Sequence, residues 1–253
     1  MNNRWTRDEV ILALLAYCQV PFNRASNSHP WVVRIANAIH RTPAAVKMKI
    51  GNFGAFDPSL KERGIVGLSG YSKTDEAVWN EFYGRWDILL DEALNLLIKY
   101  ESNSVNDLDL QTHFPKGKEI FTLSKSRVNQ LFFRNTVLSS YNNQCCISGI
   151  SSPLLLEASH IMPWRENEAA RTDPSNGLCL NSLLHQAYDN FLFSITSSYT
   201  IDISCQFLES VSNPHLREFL ISKQGRPIIL PDKFLPNRDF LNEHYLRYQA
   251  ISV

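Results

Sequence analysis

Through the first hundred residues apolar positions recur at helical spacing, and polar interruptions fall where helices would begin and end. Residues 5–20 carry Val10, Leu14 and Tyr17, joined by Ile11, Leu15 and Cys18, on one broad face. Thr6-x-x-Glu9 precedes that run as a capping box and Pro21 closes it. After a polar loop at 22–30, Pro30 opens a second helix with Val32, Ile35, Ala36 and Ile39 on its inner side. Thr42 and Pro43 suit the N-cap and first turn of a third, in which Val46, Ile50 and Phe53 face inward. That leaves Ala44, Lys47, Met48 and Gly51 outward, with Arg41 and Lys49 at the flanks. The pair reads as a helix-turn-helix. It is either a small-residue helix shaped to enter a major groove or a hairpin with solvated lysines.

Residues 54–73 are turn-rich, with five glycines and prolines breaking any long element. Thr74 is expected to cap a helix holding Ala77, Val78, Phe82 and Trp86, continued from Asp91 to about Tyr100. Residues 101–120 are polar and aperiodic and read as a linker, with His113 a solvated loop residue. Helical periodicity returns over 124–141, where Val128, Leu131, Phe132, Asn135 and Leu138 share one side. Arg127 and Arg134 share another face, near Gln130.

From residue 145 the pattern changes to strand, long loop, short strand and helix. The first strand ends at His160, Asn176 precedes Gly177 and the apolar run Leu178-Cys179-Leu180, and His185 and Asp189 stand four apart on the helix. Beyond it, FLFSI-TSSYT-IDISCQF alternates as a hairpin and 206–224 reads as a short helix plus turn. QGRPIILP reads as a strand ended by Pro231. A final helix has Phe240, Leu241, Tyr245 and Tyr248 for packing, and His244 is assigned a structural role.

Composition narrows the classes. Apolar content is 44% and charged content 20%, ordinary for a globular chain, and 253 residues suffice for one large domain or two small ones. The N-terminus lacks the apolar core of a signal peptide and no apolar run approaches membrane-spanning length, so an intracellular protein is expected, with no membrane partner. The formal net charge is zero, so any contact with nucleic acid must use a local basic patch. Five cysteines without framework spacing exclude a disulfide scaffold. Zinc would need about four ligands, and the pair opened by Cys145 is broken at Ser148, so a structural zinc is not expected.

The motifs ASHIMPW, RTDPSNGLCL and LLHQAYDN, in the order His–Asn–His, resemble HNH endonucleases. The likeness is closest to restriction-type members with an A-x-H-I-x-P-W … N-G-L-x-L … H-x-x-[FY]-D core. It spans roughly residues 121–250; HRTPAAVKMKIGNF resembles a segment that accompanies some of them, and R-x-x-Q-x-F-F-R matches over Arg127–Arg134. The resemblance implies an α+β chain: a mostly helical N-terminal recognition domain (1–100), a linker (101–120) and a C-terminal ββα-metal nuclease domain (121–253).

It further implies hydrolysis of double-stranded DNA with a divalent metal, Mg²⁺ or Mn²⁺, in a bacterial cytoplasm, in restriction or phage defence and open to dependence on base modification. One site per chain implies a homodimer or two successive nicks. His160 would be the general base, Asn176 the residue that ties the loop and orients it, His185 a metal ligand or phosphate contact, and Asp189 a metal ligand or a brace of its helix. Arg127 and Arg134 would either grip flanking phosphates or be solvated or paired with nearby acids, and Arg41, Lys47 and Lys49 would contact DNA from the helix-turn-helix. Arg171 either binds the scissile phosphate or pairs with Asp173, the second being favoured. Ser159 stands where many relatives have an acidic or histidine ligand; Glu157, on the same strand face, is a candidate substitute. The rival readings are a nicking or homing-type enzyme and a DNA-binding protein with a degenerate site.

Overall fold

A computed structural model of the protein describes residues 4–102 and 121–251. His113 and nearly all of the expected linker lie outside them. Seven helices come first: α1 (Arg7–Gln19), α2 (Pro30–Ala38), α3 (Pro43–Phe53), α4 (Pro58–Glu62), α5 (Lys73–Phe82), α6 (Trp86–Ser102) and α7 (Phe121–Ser140). Then follow β1 (Leu156–His160), β2 (Gly177–Asn181), α8 (Ser182–Asp189), β3 (Phe193–Ile195), β4 (Ile201–Ile203), α9 (Cys205–Ser210), α10 (Pro214–Lys223) and α11 (Arg238–Ile251). The architecture is α+β, with a helical N-terminal region followed by small antiparallel strand pairs and helices. No described helix is long and apolar enough to cross a membrane.

The expected capping box forms: Thr6 accepts from the Glu9 amide and Glu9 accepts from the Thr6 amide. The helix it opens departs from a one-faced amphipathic element, because every residue from Val10 to Gln19 is buried. An all-apolar circumference marks a helix enclosed on all sides, and α1 is packed by α2, α3, α5, α6 and α7. Thr42 caps α3 as expected, by accepting from Ala45 N. The cap of α5 is Ser72, two residues before Thr74, because Ser72 and Asp75 form the reciprocal box.

Two apolar cores result. One gathers around α1; the other lies between β1, β2, α8, the β3–β4 pair and the C-terminal helices. Helix α7 belongs to both, since Phe132 is buried in the first and Phe133 in the second. The side expected from Val128, Leu131, Phe132, Asn135 and Leu138 is therefore split between two partners. Polar contacts also join the halves. Gln19 Nε2 donates to Thr136 Oγ1 at 2.8 Å and Ser139 Oγ to the Cys18 carbonyl at 2.8 Å. Fully buried Lys233 donates from Nζ to the carbonyls of Tyr17, Cys18 (3.0 Å) and Val20 (2.8 Å), closing the C-terminal end of α1.

The hairpin over 193–203 forms as read, whereas QGRPIILP does not become a strand. It makes one bridge, Thr200 to Pro227, because the chain turns at Gly225 with Arg226 N bonded to the Lys223 carbonyl, and Ile229 N bonds away to the Cys146 carbonyl. Residues 206–224 hold two helices, not one.

Candidate functional site

Strands β1 and β2 pair antiparallel with His160 opposite Gly177 and Leu156 opposite Asn181. The chain leaves β1 at His160, makes a 16-residue excursion and returns at Gly177, so both ends of the loop meet at the base of the site. Asn176 closes that excursion. It is 1% exposed; its Oδ1 accepts from Met162 N at 2.7 Å, and its Nδ2 donates to the carbonyls of Met162 and Ala170, both at 3.1 Å. All its side-chain bonds go to backbone, so it fixes the path of the loop that follows His160.

The His160 ring is held from three directions. Its Nε2 lies 3.1 Å from the Arg171 carbonyl, its face stacks on Phe133 at 3.8 Å between centroids, and Trp164 meets it edge-on at 5.4 Å. A carbonyl only accepts, so Nε2 carries the proton and Nδ1 keeps the lone pair. Burial pushes the His160 pKa below the ordinary imidazole value, which keeps the ring neutral. The opposing pulls of Asp189 (upward) and His185 (downward) put both groups within electrostatic reach of it.

Asn181 caps α8 by accepting from Leu184 N at 3.0 Å. One helical turn then brings His185 Nε2 to 3.2 Å from Asp189 Oδ2, and the hydrogen bond to Asp189 raises the His185 pKa. Ser159, fully buried, donates through Oγ to Asp189 Oδ1 at 3.4 Å. It orients the carboxylate from the position where a further ligand would otherwise stand. Glu157 is occupied by Arg134 at 3.1 Å, close enough to His185 to raise its pKa further.

Residues 145–196 match the HNH endonuclease family. They form an HNH endonuclease domain. No curated protein matches the chain. The family acts on DNA and generally uses a divalent metal, so the domain implies nuclease activity. The donors of the HNH domain fit a hard, hydrated cation. The His185 imidazole and the Asp189 carboxylate, 3.2 Å apart, are spaced like neighbouring ligands of one divalent ion, which would displace the proton shared between them. Among the described residues no group of three His, Cys, Asp or Glu side chains converges as a cluster. The knuckle at Cys145 is braced by hydrogen bonds: Ser148 N and Asn181 Nδ2 approach Cys145 Sγ at 3.4 and 3.8 Å, and Asn181 Nδ2 donates to Ser148 Oγ at 2.9 Å.

The predicted DNA contacts separate. Arg127 and Lys47 are exposed. Arg134 is held by Glu157, and Arg41 is paired with Glu9 at 3.0 Å while its guanidinium covers Trp5. Lys49 is 6% exposed and its ammonium is bound to both oxygens of buried Asp75, at 2.8 and 2.9 Å, so it does not face outward at a helix flank. Arg171 pairs with Glu168 at 3.0 Å and donates from Nε to the Trp164 carbonyl, not to Asp173. Asp173 instead caps the turn before Asn176 by accepting from Ser175 N and Oγ. His244 is buried in a structural setting, stacked on Tyr188 at 3.8 Å and 2.8 Å from Ser194 Oγ. Sequence reasoning missed Phe133, Trp164 and the Ser159–Asp189 link. The doubled aromatic Phe132-Phe133 beside Arg134 was the available signal.

Proposed function

We propose that the protein is a metal-dependent DNA endonuclease in which His160 is the general base and His185 and Asp189 hold the cation. The observation that carries the reading is a neutral, rigidly held imidazole with a free Nδ1 lone pair, at electrostatic range from an imidazole–carboxylate pair on α8. His160 Nδ1 takes a proton from the attacking water, and the carbonyl of Arg171 stabilises the imidazolium that forms. Asn176 keeps that carbonyl in place by pinning the loop at both ends. Ser159 fixes the rotamer of Asp189, and Glu157 holds Arg134 near His185, where its guanidinium can exchange to a phosphate. When bound, the divalent ion relieves charge on the scissile phosphate and stabilises the leaving oxyanion.

Exposed Lys47 and Arg127 are available for phosphate contacts, with double-stranded DNA as substrate. Cutting both strands takes a homodimer or two nicks. The likeness to restriction-type proteins favours a bacterial cytoplasmic role in restriction or phage defence, open to dependence on base modification. A second reading, a DNA-binding protein with a degenerate site, is favoured by the absence of a three-ligand cluster among the described residues. Supercoiled plasmid, methylated and unmethylated, incubated with Mg²⁺, Mn²⁺ or EDTA separates them. Nicked or linear product with metal supports the nuclease. Plasmid left intact in every condition supports the degenerate site, and a product that stops at the nicked form points to a nicking enzyme.

A further inference from the structure

Among the described residues the imidazole of His160 makes one hydrogen bond, from Nε2 to the Arg171 carbonyl. A single hydrogen bond fixes one atom of a ring and leaves its plane free to swing about that point. Trp164 meets the ring only edge-on at 5.4 Å, so the plane is set by Phe133, which is 1% exposed and lies parallel to His160 within 10° at a centroid distance of 3.8 Å. Two features of the chain bring Phe133 there. The first is Gly177, the cross-strand partner of His160. A Cβ at 177 would meet the Phe133 ring at 3.0 Å and run into Val137 more closely still, so only glycine lets α7 settle onto the strand pair at this height. The second is the other side of α7, where buried Phe132 and the Gln19–Thr136 and Ser139–Cys18 hydrogen bonds anchor the helix in the N-terminal core.

We propose that Phe133 is the positioning residue of the general base: its ring fixes the plane of His160, and through α7 the N-terminal region sets the attitude of the group that takes the proton. This rests on the nuclease reading above. Phe133 touches no reacting atom and acts through His160 alone.

The test compares Phe133→Leu, which keeps apolar bulk and loses the flat face, with Phe132→Leu, the adjacent buried Phe in the other core. Phe133→Met serves if the leucine variant does not fold. In proton–carbon NMR spectra, with His160 signals assigned by their loss in His160→Gln, the ring protons of His160 should carry an upfield shift from Phe133. That shift should be lost in Phe133→Leu and kept in Phe132→Leu. With plasmid and Mn²⁺, Phe133→Leu should lower kcat by about 10–100-fold with KM little changed, the range expected when a reacting group is misplaced by an ångström or less. In the His160→Ala background Phe133→Leu should cause no further loss.

The proposal is overturned if Phe133→Leu cuts like wild type, if Phe132→Leu loses kcat equally, or if the two losses multiply in the double variant. A wild type that leaves plasmid intact with both metals removes the nuclease reading and this proposal with it. A wild type that cuts beside an equally active Phe133→Leu removes this proposal alone.

Discussion

His244 should make the protein acid-sensitive. The ring is 5% exposed, stacked on Tyr188 with an interplanar angle of 2°, flanked by Phe191 at 4.8 Å, and bonded from Nδ1 to Ser194 Oγ at 2.8 Å. Burial, opposed in part by the Tyr188 backbone and by Asp189, lowers its pKa from 6.5 to about 4. In the unfolded chain the ring takes up its proton near 6.5; in the folded protein it does so only near 4. Between those values the unfolded state binds more protons, so stability falls as pH falls. The gap corresponds to roughly 3 kcal/mol once both states are protonated, and about 2 kcal/mol of it is already lost at pH 5. Urea melts of wild type and His244→Asn at pH 7.5 and pH 5 isolate this contribution, because the lost stacking in the variant does not depend on pH. Wild type should lose about 2 kcal/mol more than the variant between the two conditions. Equal losses would mean that the folded protein accepts a charged His244, and the packing described between α8 and α11 would be wrong.

Three further outcomes follow from the same geometry. Asn176→Ala strands the Met162 amide and the Met162 and Ala170 carbonyls in a buried loop and should cost about 3 kcal/mol, read by urea denaturation. Lys49→Met leaves Asp75 buried without its partner and should destabilise by about 3–5 kcal/mol without changing the salt dependence of DNA binding, whereas Lys47→Ala should weaken DNA binding and leave stability near wild type. Asp189→Asn removes the largest influence raising the His185 pKa, so NMR titration of the metal-free variant should place His185 lower than in wild type.

What the sequence revealed, and what it concealed, follows the range of each interaction. Helix caps are decided within four residues, so Thr6–Glu9 and Thr42–Pro43 could be read directly. The spacing of His160, Asn176, His185 and Asp189 was equally legible, and the strand pair with α8 brings three of them into electrostatic contact while Asn176 shapes the loop. Burial on several sides was not legible. Periodicity gave α1 one apolar face where neighbours cover all of them, and it could not tell Lys47, which is exposed, from Lys49, whose partner Asp75 lies 26 residues on. The same holds for α7, whose two faces serve two cores and blur into a single weak pattern. The need for glycine at 177, after Asn176, was not legible either. That glycine matters because a distant helix must pass close by.

The role of His160 can be tested most directly by single-turnover cleavage of plasmid at saturating Mn²⁺, with wild type and His160→Ala compared at equal fractional saturation. Wild type should cut, and His160→Ala should retain DNA binding while cutting about 10²–10⁴-fold more slowly, the usual worth of a positioned general base. A His160→Ala protein that cuts at the wild-type rate would contradict the assignment of His160 as the base.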